Sequence, residues 1–203
     1  GNQDVRLEGN ATLGGIIENG GNSGQIIVNP TDVSSVTVAG NGIINVPLDI
    51  QGDNDVTFSE LGTLNEVSKR GRGDLTFSQE VSLEGNFTYS SGNGVVEFSA
   101  GTAGSSTGNV NTRGVFGDAE VVFGGDATVG DVLASDQGTI RFEGAAETGA
   151  VNVADNGGSG APEISGVKVE FNGGGNTIAS VNVGDPNGPV RGFEGAEVEF
   201  NGS

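Results

Sequence analysis

A triplet of apolar, variable and phenylalanine positions recurs along the chain: Val56-Thr57-Phe58, Leu75-Thr76-Phe77, Val96-Glu97-Phe98, Val121-Val122-Phe123, Ile140-Arg141-Phe142, Val169-Glu170-Phe171 and Val198-Glu199-Phe200. The outer positions stay apolar while the middle one passes through Thr, Glu, Val and Arg. That is the period-two pattern of a strand with one buried and one wet face. A small or polar residue, usually followed by glycine, ends each strand in a turn. Strands this short cannot stand alone, so each needs copies of itself above and below. The pattern predicts a solenoid with an interior column of Phe58, Phe77, Phe98, Phe123, Phe142, Phe171 and Phe200.

A weaker motif follows most triplets: Val110-Asn111, Val132-Leu133, Val151-Asn152-Val153 and Val181-Asn182-Val183. It predicts at least two short strands per rung, joined by glycine corners. The triplet phenylalanines are 19, 21, 25, 19, 29 and 29 residues apart. A basic coil of about 19–21 residues, with excess loops at 101–109, 154–163 and 184–189, accounts for the spacing, and those loops are expected to protrude. Residues 1–50 hold only short β-branched runs such as Ile26-Ile27-Val28 and Val36-Thr37-Val38, and no window carries a helical stripe. Ser68 to Asp74 reads as a surface turn feeding the strand Leu75-Thr76-Phe77.

Between Ile43 and Phe98 the residues form a more specific sequence of features: Val46-Pro47-Leu48-x-Ile50, Val56-Thr57-Phe58, Val67-Ser68-Lys69, Gly71-x-Gly73, Leu75-Thr76-Phe77, Asn86-Phe87-Thr88-Tyr89 and Gly92. This segment resembles the autotransporter-associated β-strand repeat of bacterial secreted and surface proteins. Phe77 stands where that family usually has Leu, and Arg70 and Arg72 stand where small residues are common. Residues 99–203 match through their triplets alone. The resemblance implies an all-β fold, a right-handed parallel β-helix, exported to the cell surface or medium as a stalk or scaffold. Together with the repeats it predicts one elongated domain over 1–203, with about eight or nine rungs and, at about 4.8 Å per rung, a length of about 40 Å.

Composition narrows the function classes. Glycine contributes 39 of 203 residues but proline only 5, so the chain is turn-rich yet able to fold. Cysteine, histidine, methionine and tryptophan are absent. Missing cysteine fits export, and a chain without an initial methionine or apolar leader is expected to be a processed product or a piece of a longer one. No apolar run is long enough to cross a membrane as a helix. The net charge of −19, from 27 acidic and 8 basic residues, argues against nucleic acid and anionic membranes as partners.

Nucleophilic catalysis by a Ser-His or Cys-His pair is impossible without His or Cys. Paired carboxylates remain as potential acid and base, but the aromatic and basic residues that sugar-cleaving sites place beside them are spent elsewhere or scarce, so no enzyme is expected. Asp53 and Asp55 flank Asn54, and Asp126 lies near Asp131. These four are the candidate calcium ligands, since hard cations take oxygens at such spacing, and solvated turns are the competing reading. Asn10 and Asn86 begin N-glycosylation sequons, as does Asn201. Arg72-Gly73-Asp74 spells an integrin-binding tripeptide that the glycine turn also yields by chance. The expectation is a non-catalytic extracellular rod that needs no cofactor, except that calcium is a candidate. Its partner would be another copy of itself, stacked head to tail, or the rest of a longer chain. The alternative is an adhesin whose long loops bind a host glycan or receptor, and a polysaccharide-active enzyme is a distant third.

Overall fold

The computed structural model describes residues 5–7, 11–14, 16–18, 25–28, 35–104, 106–113, 119–135, 138–154, 167–184 and 196–202. All regular structure among them is β, every pairing is parallel, and no strand pairs with its immediate neighbour in sequence. Each connection is therefore a crossover over another face, and the chain is a parallel β-solenoid.

The first face stacks Val5–Leu7, Ile26–Val28, Leu48–Gln51, Val67–Arg70, Phe87–Ser91, Val110–Arg113 and Val132–Ser135 in that order, continuing into Ala146–Ala154 and Thr177–Val183. The second stacks Ala11–Leu13, Ser35–Asn45, Val56–Leu64, Leu75–Phe77, Val95–Phe98, Glu120–Phe123, Thr139–Phe142, Lys168–Phe171 and Glu197–Phe200. A third face completes the coil. Ser35–Asn45, Val56–Leu64 and Ala146–Ala154 bend round a corner and serve two faces each, pairing there with Ile16–Glu18, Ser82–Leu83 and Ala127–Val129 respectively. At the corner within Val56–Leu64, Glu60 takes the left-handed conformation at φ 56°, the one such non-glycine among the described residues.

The triplets form the second face as the alternation dictates. Phe58 pairs with Phe77, Phe77 with Phe98, and the match continues through Phe123, Phe142 and Phe171 to Phe200. Register holds despite unequal spacing because a one-residue slip would turn each apolar set outward. At one corner the glycines themselves form a column. Gly52, Gly71 and Gly92 have φ of 123°, 99° and 131°, and a Cβ on Gly71 would lie 2.0 Å from the Gly52 carbonyl oxygen. Only glycine permits both this φ and this approach.

Within the excess at 101–109, expected to protrude, Thr102, Ala103 and 106–108 instead bond along the stack. Its described part replaces the missing third-face strand: Thr102 makes an isolated parallel bridge to Val81, Ala103 N–H donates to the Val81 carbonyl at 3.0 Å, and the amides of Thr107 and Gly108 both reach the Leu83 carbonyl at 2.8 Å. Ser106 Oγ accepts from Leu83 N–H at 2.9 Å. Residues 155–163 and 185–189 of the other two expected loops lie outside the described residues. Val67–Arg70 is a strand rather than part of a surface turn, and that changes the surroundings of Lys69.

Candidate functional site

The side chains that could serve a function fall into four sets, each continuing from coil to coil. The innermost is the phenylalanine column. Successive ring centroids from Phe58 to Phe200 lie 5.5, 4.8, 4.9, 4.9, 5.0 and 5.1 Å apart, with interplanar angles falling from 30° to between 5° and 9°. These distances match the spacing of paired strands, so in-register phenylalanines meet face to face with a slight offset. Such pairs contribute about 0.5–1.5 kcal/mol beyond the area they bury. Phe87 meets Phe98 edge-on at 5.5 Å. Phe58, Phe77, Phe98, Phe123, Phe142 and Phe171 are buried, whereas Phe200 is 56% exposed. Its assignment to the interior is corrected: one face stacks on Phe171 and no described residue covers the other.

Beside this column lies a buried cation that the reading of Ser68 to Asp74 as a surface turn missed. Val67 points inward, and period two carries Lys69 inward with it, where it is 1% exposed. The parity was visible in Val67-Ser68-Lys69. The ammonium donates to the carbonyls of Arg70 (3.3 Å) and Gly71 (3.1 Å) and lies 5.4 Å from the centre of the Tyr89 ring. Tyr89 pairs with Lys69 across the sheet. Its hydroxyl donates to the Gly94 carbonyl at 3.0 Å and accepts from the Gly94 amide at 2.9 Å. Burial lowers the Lys69 pKa to about 8, although Asp53, Asp74 and Asp55 pull it back upward. Burial likewise raises that of Tyr89.

The third set lines the corners and contains the four candidate calcium ligands. Asp53 Oδ1 accepts from Arg72 N–H at 3.0 Å and Asp55 Oδ1 from Asp74 N–H at 2.9 Å. Asp126 Oδ1 accepts from Ala145 N–H at 2.9 Å and Asp131 Oδ1 from Ala150 N–H at 2.8 Å. Each carboxylate caps an amide one coil further on. Asn109 does the same for Asp131 at 2.8 Å, and Asn86 for Asn109 at 3.4 Å. Among the described residues, no three acidic side chains gather into a group able to hold a metal ion. Asn10 lies outside the described residues. The Arg72-Gly73-Asp74 tripeptide is part of the stack: Gly73 is buried against the Asn54 backbone, and Asp74 Oδ1 accepts from Val95 N–H at 2.7 Å.

On the outside of the second face runs a ladder of ion pairs. Arg141 pairs with Glu120, with Glu170 at 3.0 Å and with Glu143 at 3.6 Å. Glu170 and Glu199 stand directly in register, an arrangement expected to repel. Lys168 relieves it by reaching both carboxylates at 2.8 Å. Hydrogen bonds to Glu170 and Glu199 raise the Lys168 pKa, and the one from Lys168 lowers that of Glu199.

One recess, of about 280 Å³, lies on the third face, where Glu80, Asp126 and Glu147 alternate with Thr102, Thr128 and Thr177. It has the carboxylates that sugar cleavage uses but neither an aromatic nor a basic side chain in its lining. No helix among the described residues is long and apolar enough to cross a membrane, which leaves strand-built membrane proteins untouched. No protein-family model, curated protein or solved structure matches the chain.

Proposed function

We propose that this chain is a load-bearing segment of an extracellular scaffold: a right-handed β-solenoid of eight or nine rungs, serving as a stalk or passenger segment and not as a catalyst. The observation that carries this reading is the unbroken stack of phenylalanines, with corner carboxylates and ion pairs also running from coil to coil. Side chains that another protein would spend on a ligand are here spent on the next coil. The right hand follows from the strong preference of parallel crossover connections for it. Export is supported by the resemblance between 43 and 98, and the cysteine-free composition fits it.

Pulling single molecules from both ends tests the mechanical role. A stacked rod resists and yields in steps of about one coil, whereas a slack chain extends without force peaks and would exclude load bearing. Electron micrographs of the purified protein should show rods about 40 Å long. Antibody labelling of intact source cells checks export. Calcium is an optional part of the reading, carried by Asp53, Asp55, Asp126 and Asp131, and identical melting curves in millimolar calcium and in chelator would remove it.

A second reading, a fibre subunit built by end-to-end stacking, draws on the last described coil. Val181, Val183 and Phe200 are 43%, 52% and 56% exposed. An adhesin that binds through its long loops would rest on 155–163 and 185–189, outside the described residues. Catalysis by the third-face carboxylates would show as depolymerisation of polysaccharides, and a Glu147→Gln variant without that activity would replace the scaffold reading.

A further inference from the structure

We propose that Lys69 and Tyr89 form a register lock: on the coil that carries Lys69, only the coil that carries Tyr89 can stack. The need for one arises from the repetition itself. At the apolar positions successive coils are interchangeable, since Phe77 could stack on Phe123 as well as on Phe98, and Val67 could take Val110 in place of Phe87. A chain that skipped a coil would therefore keep the second-face pattern. One inward row of the first face is different. It runs in register through Ile50, Lys69, Tyr89, Thr112, Ala134 and Val153, all buried, and it changes character from coil to coil.

Within that row the two long polar side chains are neighbours and fit each other. The Lys69 ammonium lies 5.4 Å from the centre of the Tyr89 ring, a contact that gains strength away from water. The Tyr89 hydroxyl proton is shared between the Gly94 carbonyl at 3.0 Å and the Gly71 carbonyl at 3.3 Å. The Gly71 carbonyl also accepts from the ammonium at 3.1 Å, so one backbone oxygen ties the side chains of both coils together. Were Val110–Arg113 to stack on Val67–Arg70 instead, Thr112 would stand in the place of Tyr89. Its side chain ends one atom beyond Cβ and does not reach the end of a lysine. The ammonium would keep its carbonyls but lose its cover. A buried charge deprived of a partner destabilises far more than the intact pair stabilises, which is how buried polar groups come to select one register. The lock discriminates between arrangements without having to stabilise the correct one.

The chain has no cysteine, so an introduced pair reports the order of coils directly. On the outside of the first face Ser68 pairs with Thr88, and Thr88 with Asn111. Positions 68 and 88 are one strand spacing apart, about 4.8 Å and within disulfide reach, whereas 68 and 111 are two spacings apart, about 10 Å and beyond it. The full chain carrying Ser68→Cys with either Thr88→Cys or Asn111→Cys is refolded in reductant and oxidised afterwards, and the bridged fraction is read by mass spectrometry. With Lys69 in place the 68–88 bridge should form and the 68–111 bridge should stay at trace level. Lys69→Met should raise the 68–111 fraction by about tenfold, which corresponds to about 1.4 kcal/mol of lost discrimination. Tyr89→Leu, which removes the cover and leaves the ammonium, should give the same rise and is the second variant should the first not fold. A change in melting temperature alone, with the 68–111 fraction unmoved, would reduce the pair to a buried contact and overturn the proposal. An abundant 68–111 bridge with Lys69 and Tyr89 both present would overturn it as well.

Discussion

Lys69 is the residue whose environment departs furthest from its chemistry. Its ammonium has two carbonyls and an aromatic face in place of water, and burial lowers its pKa to about 8 against an unfolded value of about 10.4. Between those values the unfolded chain holds a proton that the folded chain has released, so stability rises with pH across that window by about 3 kcal/mol and is flat below it. Tyr89 opposes the rise above pH about 10, because burial holds its phenol protonated in the fold. Denaturant midpoints should therefore climb from pH 8 to pH 10 in the natural chain and stay level in Lys69→Met. Parallel profiles for the two would mean that Lys69 titrates as if exposed. Phe142 is the simpler case: fully buried between Phe123 and Phe171, it should cost about 3–5 kcal/mol when replaced by Ala. An unchanged melt would place it outside the load-bearing column.

At the scale of elements, the second face was legible and the third was not, for a physical reason. A strand shows in sequence when alternation places large apolar residues on one side, and the Phe triplets do so in coil after coil. The third face mixes small buried residues, Ser82, Thr102, Ala127 and Ala146, with larger ones such as Ile44, Leu64, Leu83 and Val129, so no one triplet repeats along it. Small side chains leave no periodic signal, and Thr102 even replaces strand hydrogen bonds with its hydroxyl, which donates to the Thr128 carbonyl at 2.8 Å and accepts from its amide at 2.9 Å. Asp49 could be read as outward-facing, whereas its burial, with Arg70 one coil later seated on its carboxylate at 2.8 Å, could not. The Arg141–Glu170 pair was readable from register, whereas the part played by Lys168 required seeing it between two carboxylates. Lys168→Ala should lower the melting temperature most at low salt, because Glu170 and Glu199 then face each other unscreened. Adding Glu199→Gln should restore part of the loss, and a loss that salt does not alter would assign Lys168 a packing role instead.

The whole molecule behaves as a one-dimensional stack, stabilised by contacts between neighbouring coils, and its charge decides whether that stack extends between molecules. The last described coil presents Phe200, Val181 and Val183, 56%, 43% and 52% exposed, and a strand edge left exposed can template another strand. Glu197 and Glu199 stand at the same edge, with Lys168 of the preceding coil as their cation. At the opposite edge of the second face, Ala11–Leu13 brings small and apolar residues but no basic ones. Stacking a second copy there would bury Phe200 without neutralising the two glutamates, inside a chain of net charge −19. Apolar contact favours assembly and charge opposes it, and only the charge term is screened by salt over about 10 Å at 0.1 M. Sedimentation should therefore show monomers at low salt and open-ended oligomers, a heterologous series without closure, at high salt. Phe200→Asp should keep the protein monomeric in both while leaving its melt nearly unchanged, since that ring is already half exposed. A monomer at high salt and high concentration would exclude the fibre subunit and leave the scaffold segment as the reading.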